Sequence, residues 1–411
     1  MILINSQFLK IARDKVQEKI SKRISIYRAM NPQTKLIELN RGDVIRPLDG
    51  SIIEVMSKAL EEFSTTETFQ GRGPIEGYQF LRDAIVKHDF KARKIKIDSG
   101  EVFINSGTKS ELAAIGDIFC NDNRIAVPDP TYQTYIESNV IASRAGAEDE
   151  ESGRWSHLLY MDCLKEDNFM PQMLKEIPEV IYLCYPNDPT GCTMSRKTLE
   201  KWVQYAVENS VLIIFDATYE AFITESDTPH SIYEIKGARR CAIELRSYSK
   251  SAGFTGLHCG YTVIPKELNG FSFIANKSAN LNELWRRRQE IKNYTPSYIV
   301  QRGAESLYSA EGQKSIKENV DYYMHNAALI RSALQNTRLN FWGGVNSPFI
   351  WVESPYDSSW QLFDKLLNDC NILSSPGERF GPGGKGYVRL SAFADQAQVT
   401  VAASRLIDLD I

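Results

Sequence analysis

The chain is poor in the residues that staple small or metal-dependent proteins. Seven cysteines are spread over 411 residues, an odd number with no Cys-x-x-Cys pair, and the five histidines include no His-x-x-x-His. This excludes a disulfide framework, makes a structural or catalytic zinc site improbable, and fits reduced thiols in a cytoplasm. Long apolar runs are missing too. Stretches such as 211–215 fall far short of the roughly 18 residues a membrane helix needs. The segment from Met1 to Lys10 turns polar too early for a secretory leader, and no small-residue cleavage site follows, so export is not expected. Charge of one sign is scarce: 48 Lys and Arg against 52 Asp and Glu leave a net charge of −4, which gives no electrostatic case for nucleic acid or an anionic membrane. No internal repeat or low-complexity tract breaks the chain.

What is present is ordinary for a globular enzyme. Hydrophobic residues make up 43% and charged residues 24%, enough apolar material for a sizeable core. At roughly 100–200 residues per domain the length predicts two or three units. Apolar positions at helical spacing (Phe8, Ile11, Val16, Ile20, Ile24) predict one or two amphipathic helices over 8–30. Apolar strand-like runs follow at Val102–Asn105, Arg124–Val127, Val180–Tyr185, Val211–Asp216, Cys241–Ser247 and Gly260–Ile264. Helical patterns such as Lys109–Phe119 and Arg196–Asn209 lie between them. Alternating strands and helices predict an α/β fold, a mostly parallel sheet covered by helices on both faces. After about residue 300 the pattern changes. Gln301–Asn336 reads as helix, and a short α+β tail holds strands at Phe349–Glu353 and Val388–Ala392 and a last helix. The expected division is a large cofactor-binding domain at 45–300 and a smaller α+β domain at 301–411, to which an N-terminal arm at 1–44 contributes.

The chemistry collects at strand ends. Ser247-Tyr248-Ser249-Lys250-Ser251-Ala252-Gly253-Phe254-Thr255-Gly256 closes a strand with small hydroxyls, one lysine and a glycine turn. A lysine there suits a covalent bond to an aldehyde cofactor, and the hydroxyls suit a phosphate. Ile213-Ile214-Phe215-Asp216-Ala217-Thr218-Tyr219 delivers an acid at the carboxyl edge of a sheet, where open α/β sheets bind ligands. Tyr185-Pro186-Asn187-Asp188-Pro189-Thr190-Gly191 makes a tight turn after another strand. At Asn105-Ser106-Gly107-Thr108-Lys109-Ser110-Glu111 a strand enters a helix whose free N–H groups suit a phosphate. Asp129-Pro130-Thr131-Tyr132 places an aromatic that could stack on a planar ring. Taken singly each has an ordinary reading, as a surface lysine, a helix-capping aspartate or a rim tyrosine. Five compatible strand ends make coincidence a poor account.

These stretches resemble fold-type I, pyridoxal-phosphate-dependent aminotransferases over nearly the whole chain. The likeness is greatest to the LL-diaminopimelate aminotransferase family, through Phe69-Gln70-Gly71-Arg72-Gly73-Pro74, Gly107–Ser110, Ser249–Gly256, Phe380–Gly386 and Arg389-Leu390-Ser391-Ala392-Phe393. The resemblance implies a seven-stranded sheet in the large domain, pyridoxal 5'-phosphate as cofactor, and a homodimer with shared active sites in the cytoplasm. It implies an amino acid and a 2-oxo acid as small-molecule substrates. Lys250 would be the Schiff-base lysine and proton shuttle, Asp216 would hold the ring-nitrogen proton, Tyr219 would bond the ring hydroxyl and Tyr132 would stack on the ring. Gly107, Thr108, Lys109, Ser247 and Ser249 would hold the phosphate. Arg389 matches the clamp on the substrate α-carboxylate, a task suited to its bidentate fork. Glu67 matches an acid that meets the distal amino group of diaminopimelate from the neighbouring subunit.

Several positions depart from the family. Asp188 replaces an asparagine that donates to the ring oxygen, and an ionised aspartate cannot donate. His258 replaces an arginine on the phosphate, and Arg72 replaces a tyrosine that reaches the neighbour's phosphate. Tyr294-Thr295 replaces an Asn-Gly pair near the substrate, and Arg41, Arg46 and Arg379 stand where the family is usually uncharged. Three explanations stay open: drift, compensation between Arg72 and His258, or a substrate with a new negative group. The expected activity is amino-group transfer. The alternatives are elimination, replacement or cyclisation on the same cofactor, or a homologue that has lost activity. Two further features are set aside: Gly381–Gly386 does not have the spacing of a phosphate-binding P-loop, and Arg286-Arg287-Arg288 reads as a solvated helix face.

Overall fold

The computed structural model describes residues 2–11, 15–292 and 295–410. Seven strands form the large sheet: β1 (Val102–Asn105), β2 (Ile125–Asp129), β3 (Leu158–Asp162), β4 (Val180–Cys184), β5 (Leu212–Asp216), β6 (Ala242–Ser247) and β7 (Gly260–Val263). Their order is β1-β7-β6-β5-β4-β2-β3. Only β7 runs against its neighbours, so β1, β2, β4, β5 and β6 end at the same edge.

Adjacent residues of each strand alternate between two cores, as the strand pleat requires. Ile181, Ile213, Phe215 and Ala242 face one cluster, with Trp202, Val203 and Ala206 of helix α2 (Arg196–Asn209). Val180, Tyr182, Ile214 and Ile243 face the other, with Leu112 and Ile115 of helix α1 (Thr108–Ile115) and with Trp285. Both faces are covered, which is why the central strands read as unbroken apolar runs. Helix α2 is punctuated as its sequence suggests. The Ser195 side chain accepts from the Thr198 N–H at its start, and Ser210 at φ +57° ends it.

A second, antiparallel sheet is built from β8 (Phe341–Gly343), β9 (Phe349–Glu353), β10 (Ser375–Pro376) and β11 (Tyr387–Ser391) in the order β8-β9-β11-β10. Helix α3 (Ala310–Leu334) leads towards it, capped by Ser309, which accepts from the Gly312 N–H. The N-terminal segment joins this unit. Ile37–Glu38 pairs in parallel with Ile372–Leu373, and Ile20, Tyr27 and Leu39 pack with Ile330, Leu362 and Val388.

The one or two helices expected over 8–30 are two among the described residues, Gln7–Lys10 and Lys15–Met30. The sequence pattern overlooked β3, an edge strand whose middle residues are only half-buried. The arginine triplet is a correction: Arg287 is exposed, but Arg286 pairs with Glu76 and Arg288 with Asp117 (2.9 Å), so most of that face is engaged in ion pairs. None of the helices among the described residues is long and apolar enough to cross a membrane.

Candidate active site

Residues at or after the ends of five of the six co-directed strands, β1, β2, β4, β5 and β6, line one cleft of about 900 Å³, closed on its far side by the small sheet. Asp216 ends β5 and is buried. Its carboxylate accepts from Tyr135 OH (2.8 Å) and from the Thr218 N–H (3.0 Å). Burial pushes its pKa up against those donors, and the charge of Asp188 adds to the rise. No Lys or Arg is among the groups that hold it, within the described residues. A buried acid without a cation calls for a proton or a positively charged ligand beside it.

Lys250 follows β6. Its Nζ donates to the Gly42 carbonyl and to Asp43 Oδ1, both at 2.7 Å. Asp43 also accepts from Thr255. Burial opposes ionisation of Asp43, but the bonds from Lys250 and Thr255 prevail and hold its pKa below the usual carboxylate range.

One end of the cleft is backbone and hydroxyls, the residue types expected to hold a phosphate. Gly107 has φ +99°, a conformation that favours glycine, and leads into the N-terminus of α1 with its unsatisfied N–H groups. The loop is tied down from beneath. The Gly107 N–H donates to Asn105 Oδ1 (2.8 Å), Asn105 Nδ2 donates to Thr262 (2.9 Å), and Thr262 donates to Glu111 (3.0 Å). Burial pushes Glu111 up to about 7. The Ser249 N–H donates to Ser247 Oγ (3.2 Å), and the Thr108 and Thr218 hydroxyls are 2.7 Å apart. Lys109 and His258 line the same cleft. His258 holds a left-handed φ of +57°, costly for a side chain with a Cβ and of the kind that gathers at functional sites.

Arg389 enters from β11 and is buried. Its Nη1 donates to Asp188 Oδ1 (2.7 Å) and its Nη2 to the Asn40 carbonyl (3.2 Å), while Nε has no acceptor among the described residues. The Phe349 and Phe380 rings flank the guanidinium at 4.4 and 4.8 Å. Tyr219 OH stands 3.5 Å from Asp188 Oδ2. Burial, then the charge of Asp188, keeps that phenol protonated and able to donate. Tyr132 lines the cleft edge-on to Tyr135, with ring centroids 5.7 Å apart.

Gly107, Thr108, Lys109, Tyr132, Asp188, Asp216, Tyr219, Ser247, Ser249, Lys250, His258 and Arg389 therefore meet in one cleft. Glu67 and Arg72 do not line it; both are exposed on the segment that precedes Gly73. Tyr294 lies outside the described residues. Of the three extra arginines only Arg379 reaches the cleft. Arg41 pairs with Glu38, and Arg46 donates to the Glu318 carbonyl (2.9 Å). Sequence reasoning missed Asp43, Thr255, Asn40 and Tyr135. Two of them left a signal: Thr255 lies within the Ser247–Gly256 stretch, and Tyr135 lies three residues after Tyr132, its hydroxyl holding Asp216.

The donor set fits pyridoxal phosphate. A helix N-terminus and hydroxyls suit a dianion, an uncompensated buried carboxylate suits a protonated ring nitrogen, and an amine shares the cleft. A family model described as aminotransferase class I and II matches residues 34–406. The chain is 48% identical to the LL-diaminopimelate aminotransferase of Bacteroides fragilis and 47% identical to that of Phocaeicola vulgatus, each over 407 residues and 99% of both chains. Its fold is similar to that of L,L-diaminopimelate aminotransferase from Chlamydomonas reinhardtii, with a TM-score of 0.90, 32% identity and coverage of 99% of this chain and 98% of that one.

Proposed function

The chain belongs to the class I and II aminotransferases and is a pyridoxal-phosphate-dependent enzyme that moves an amino group between an amino acid and a 2-oxo acid; from that premise we propose that its amino donor is LL-diaminopimelate and that two copies share their active sites in the cytoplasm. The observation that carries the reading is the meeting of Lys250, Asp216 and Arg389 in one cleft. The full-length likeness to LL-diaminopimelate aminotransferases supports the donor.

When bound, pyridoxal phosphate supplies the aldehyde carbon that receives the amino group and a ring that takes up the electron pair released at the α-carbon. The chain supplies the rest. Asp216 holds a proton on the ring nitrogen. Arg389 orients the α-carboxylate, and Lys250 Nζ takes the proton from the α-carbon and returns it to the acceptor carbon. The 45–300 unit would hold the cofactor, and the unit formed by 1–44 and 301–411 would bring Arg389 to it. With LL-diaminopimelate alone, the loaded enzyme should change its visible spectrum once and release an oxo acid without ammonia. A 2-oxo acid such as 2-oxoglutarate should then restore the starting spectrum. Ammonia release without an acceptor would favour elimination, and no spectral change would remove this donor.

The shared site rests on Glu67 and Arg72, exposed and outside their own cleft, with Phe69 between them 60% exposed on the same segment. A second copy placed against this segment would cover Phe69 and receive Arg72 at the phosphate. A histidine at 258 offers at most two donors and no permanent charge, whereas arginine offers five donors and stays protonated. Arg72→Tyr should therefore weaken cofactor binding by roughly 1.5–3 kcal/mol. Adding His258→Arg should recover most of that loss in a spectroscopic titration. Strictly additive effects would show that the two positions do not share a phosphate.

A further inference from the structure

Two of the three guanidinium nitrogens of Arg389 are already engaged before any substrate arrives, Nη1 by Asp188 and Nη2 by the Asn40 carbonyl. The Arg389 and Asp188 side chains are both buried, at 6% and 11% exposed. The other titratable groups that face Asp188 are Tyr219 and Asp216 at the end of β5, Tyr132 beyond β2 and Cys184 on β4, and none of them is a cation. Arg389 is thus the guanidinium that holds Asp188, and once an α-carboxylate enters beside it two carboxylates compete for that one fork. Neighbouring acids that share a site do not both stay ionised.

We propose that Asp188 is an internal occupant of the Arg389 clamp, which an incoming α-carboxylate displaces and which takes up one proton as it leaves the guanidinium. The inference rests on the reading of Arg389 as the carboxylate clamp. The ion pair between Asp188 Oδ1 and Arg389 Nη1 is exchanged for one between the ligand carboxylate and Arg389, and an O–H bond forms on Asp188 with a proton from solvent. The unpartnered Nε gives the arriving carboxylate a second donor on the same fork. Once protonated, Asp188 gains the donor that the ionised form lacks. The residue that departs from the family's asparagine then matches it in hydrogen bonding, but only in the liganded enzyme. Carboxylate affinity accordingly falls as pH rises, because binding consumes a proton.

Pimelate, a seven-carbon dicarboxylate without amino groups, tests this on the cofactor-loaded enzyme. Calorimetry in two buffers of different ionisation heat counts the protons taken up on binding. The cofactor's absorbance in the same titration counts those taken by the Lys250–cofactor linkage. About one further proton should remain for Asp188, and in Asp188→Asn it should vanish. Pimelate affinity of the parent should fall about tenfold more per pH unit than that of the variant, which should bind tighter in alkaline buffer. No further proton in the parent, or the parent's pH slope in Asp188→Asn, overturns the proposal and leaves the clamp intact. If pimelate binds neither protein, the clamp reading falls and this inference with it. The calorimetric count needs only the unaltered protein.

Discussion

Lys250→Ala is expected to lower amino-transfer turnover by roughly 10³-fold or more, while the protein still folds. In the proposed reaction two roles would fall on this one amine, the covalent hold on the cofactor and the movement of the α-proton. The fold should survive because the ion pair it loses is a weak one. Asp43 is 49% exposed at its side chain and keeps its bond from Thr255, so water replaces the ammonium at a cost of about 1 kcal/mol or less. Borohydride should fix the cofactor to the parent protein at Lys250 and leave the variant unlabelled, with the labelled peptide identified by mass. A label on Lys109 or Lys10, which line the same cleft, would move the role to another residue. Parent-like turnover in the variant would remove it altogether.

The parts of this molecule that could be read from its sequence are those decided by neighbours along the chain. Ile213, Ile214 and Phe215 are apolar because helices cover both faces of β5, and the same run carries Asp216 to the edge where the cleft forms. The helix Arg196–Asn209 was legible to the residue because its Ser195 cap and its left-handed end are local. The edge strand β3 was not. Leu158 and Met161 are buried while Leu159 and Tyr160 are half-exposed, which is neither a continuous apolar run nor a clean alternation. The site divides the same way. Lys250, Asp216 and Gly107 announce themselves through strand-end motifs. Asp43 comes to Lys250 from 207 residues away, and no local pattern encodes that. Charge was visible at Arg41, Arg46 and Asp188, but partners were not. Glu38, the Glu318 carbonyl and Arg389 decide what each of them does.

Arg389→Ala should cost both binding and stability, and the two losses have different physical origins. Binding of α-amino acids should weaken about ten- to a hundred-fold, the usual consequence of removing an ionic partner worth roughly 1.5–3 kcal/mol. Stability should fall by roughly 3–5 kcal/mol, because the truncation leaves Asp188 buried without its cation and opens space between Phe349 and Phe380. Arg389→Lys retains the charge but loses the planar fork and the stacking on both rings, so it should recover part of the stability and little of the affinity. Asp188→Asn placed on Arg389→Ala separates the two effects. It removes the stranded carboxylate, so the urea midpoint should rise back towards the parent, while amino-acid affinity stays low because the clamp is still missing. Such a pattern is a coupling in stability without a coupling in binding. Recovery of both would mean that Asp188 repulsion, not loss of the guanidinium, weakened binding. Unchanged affinity in Arg389→Ala itself would place the substrate carboxylate elsewhere in the cleft, whose lining also carries the cations Lys10, Lys15, Lys109 and Arg379.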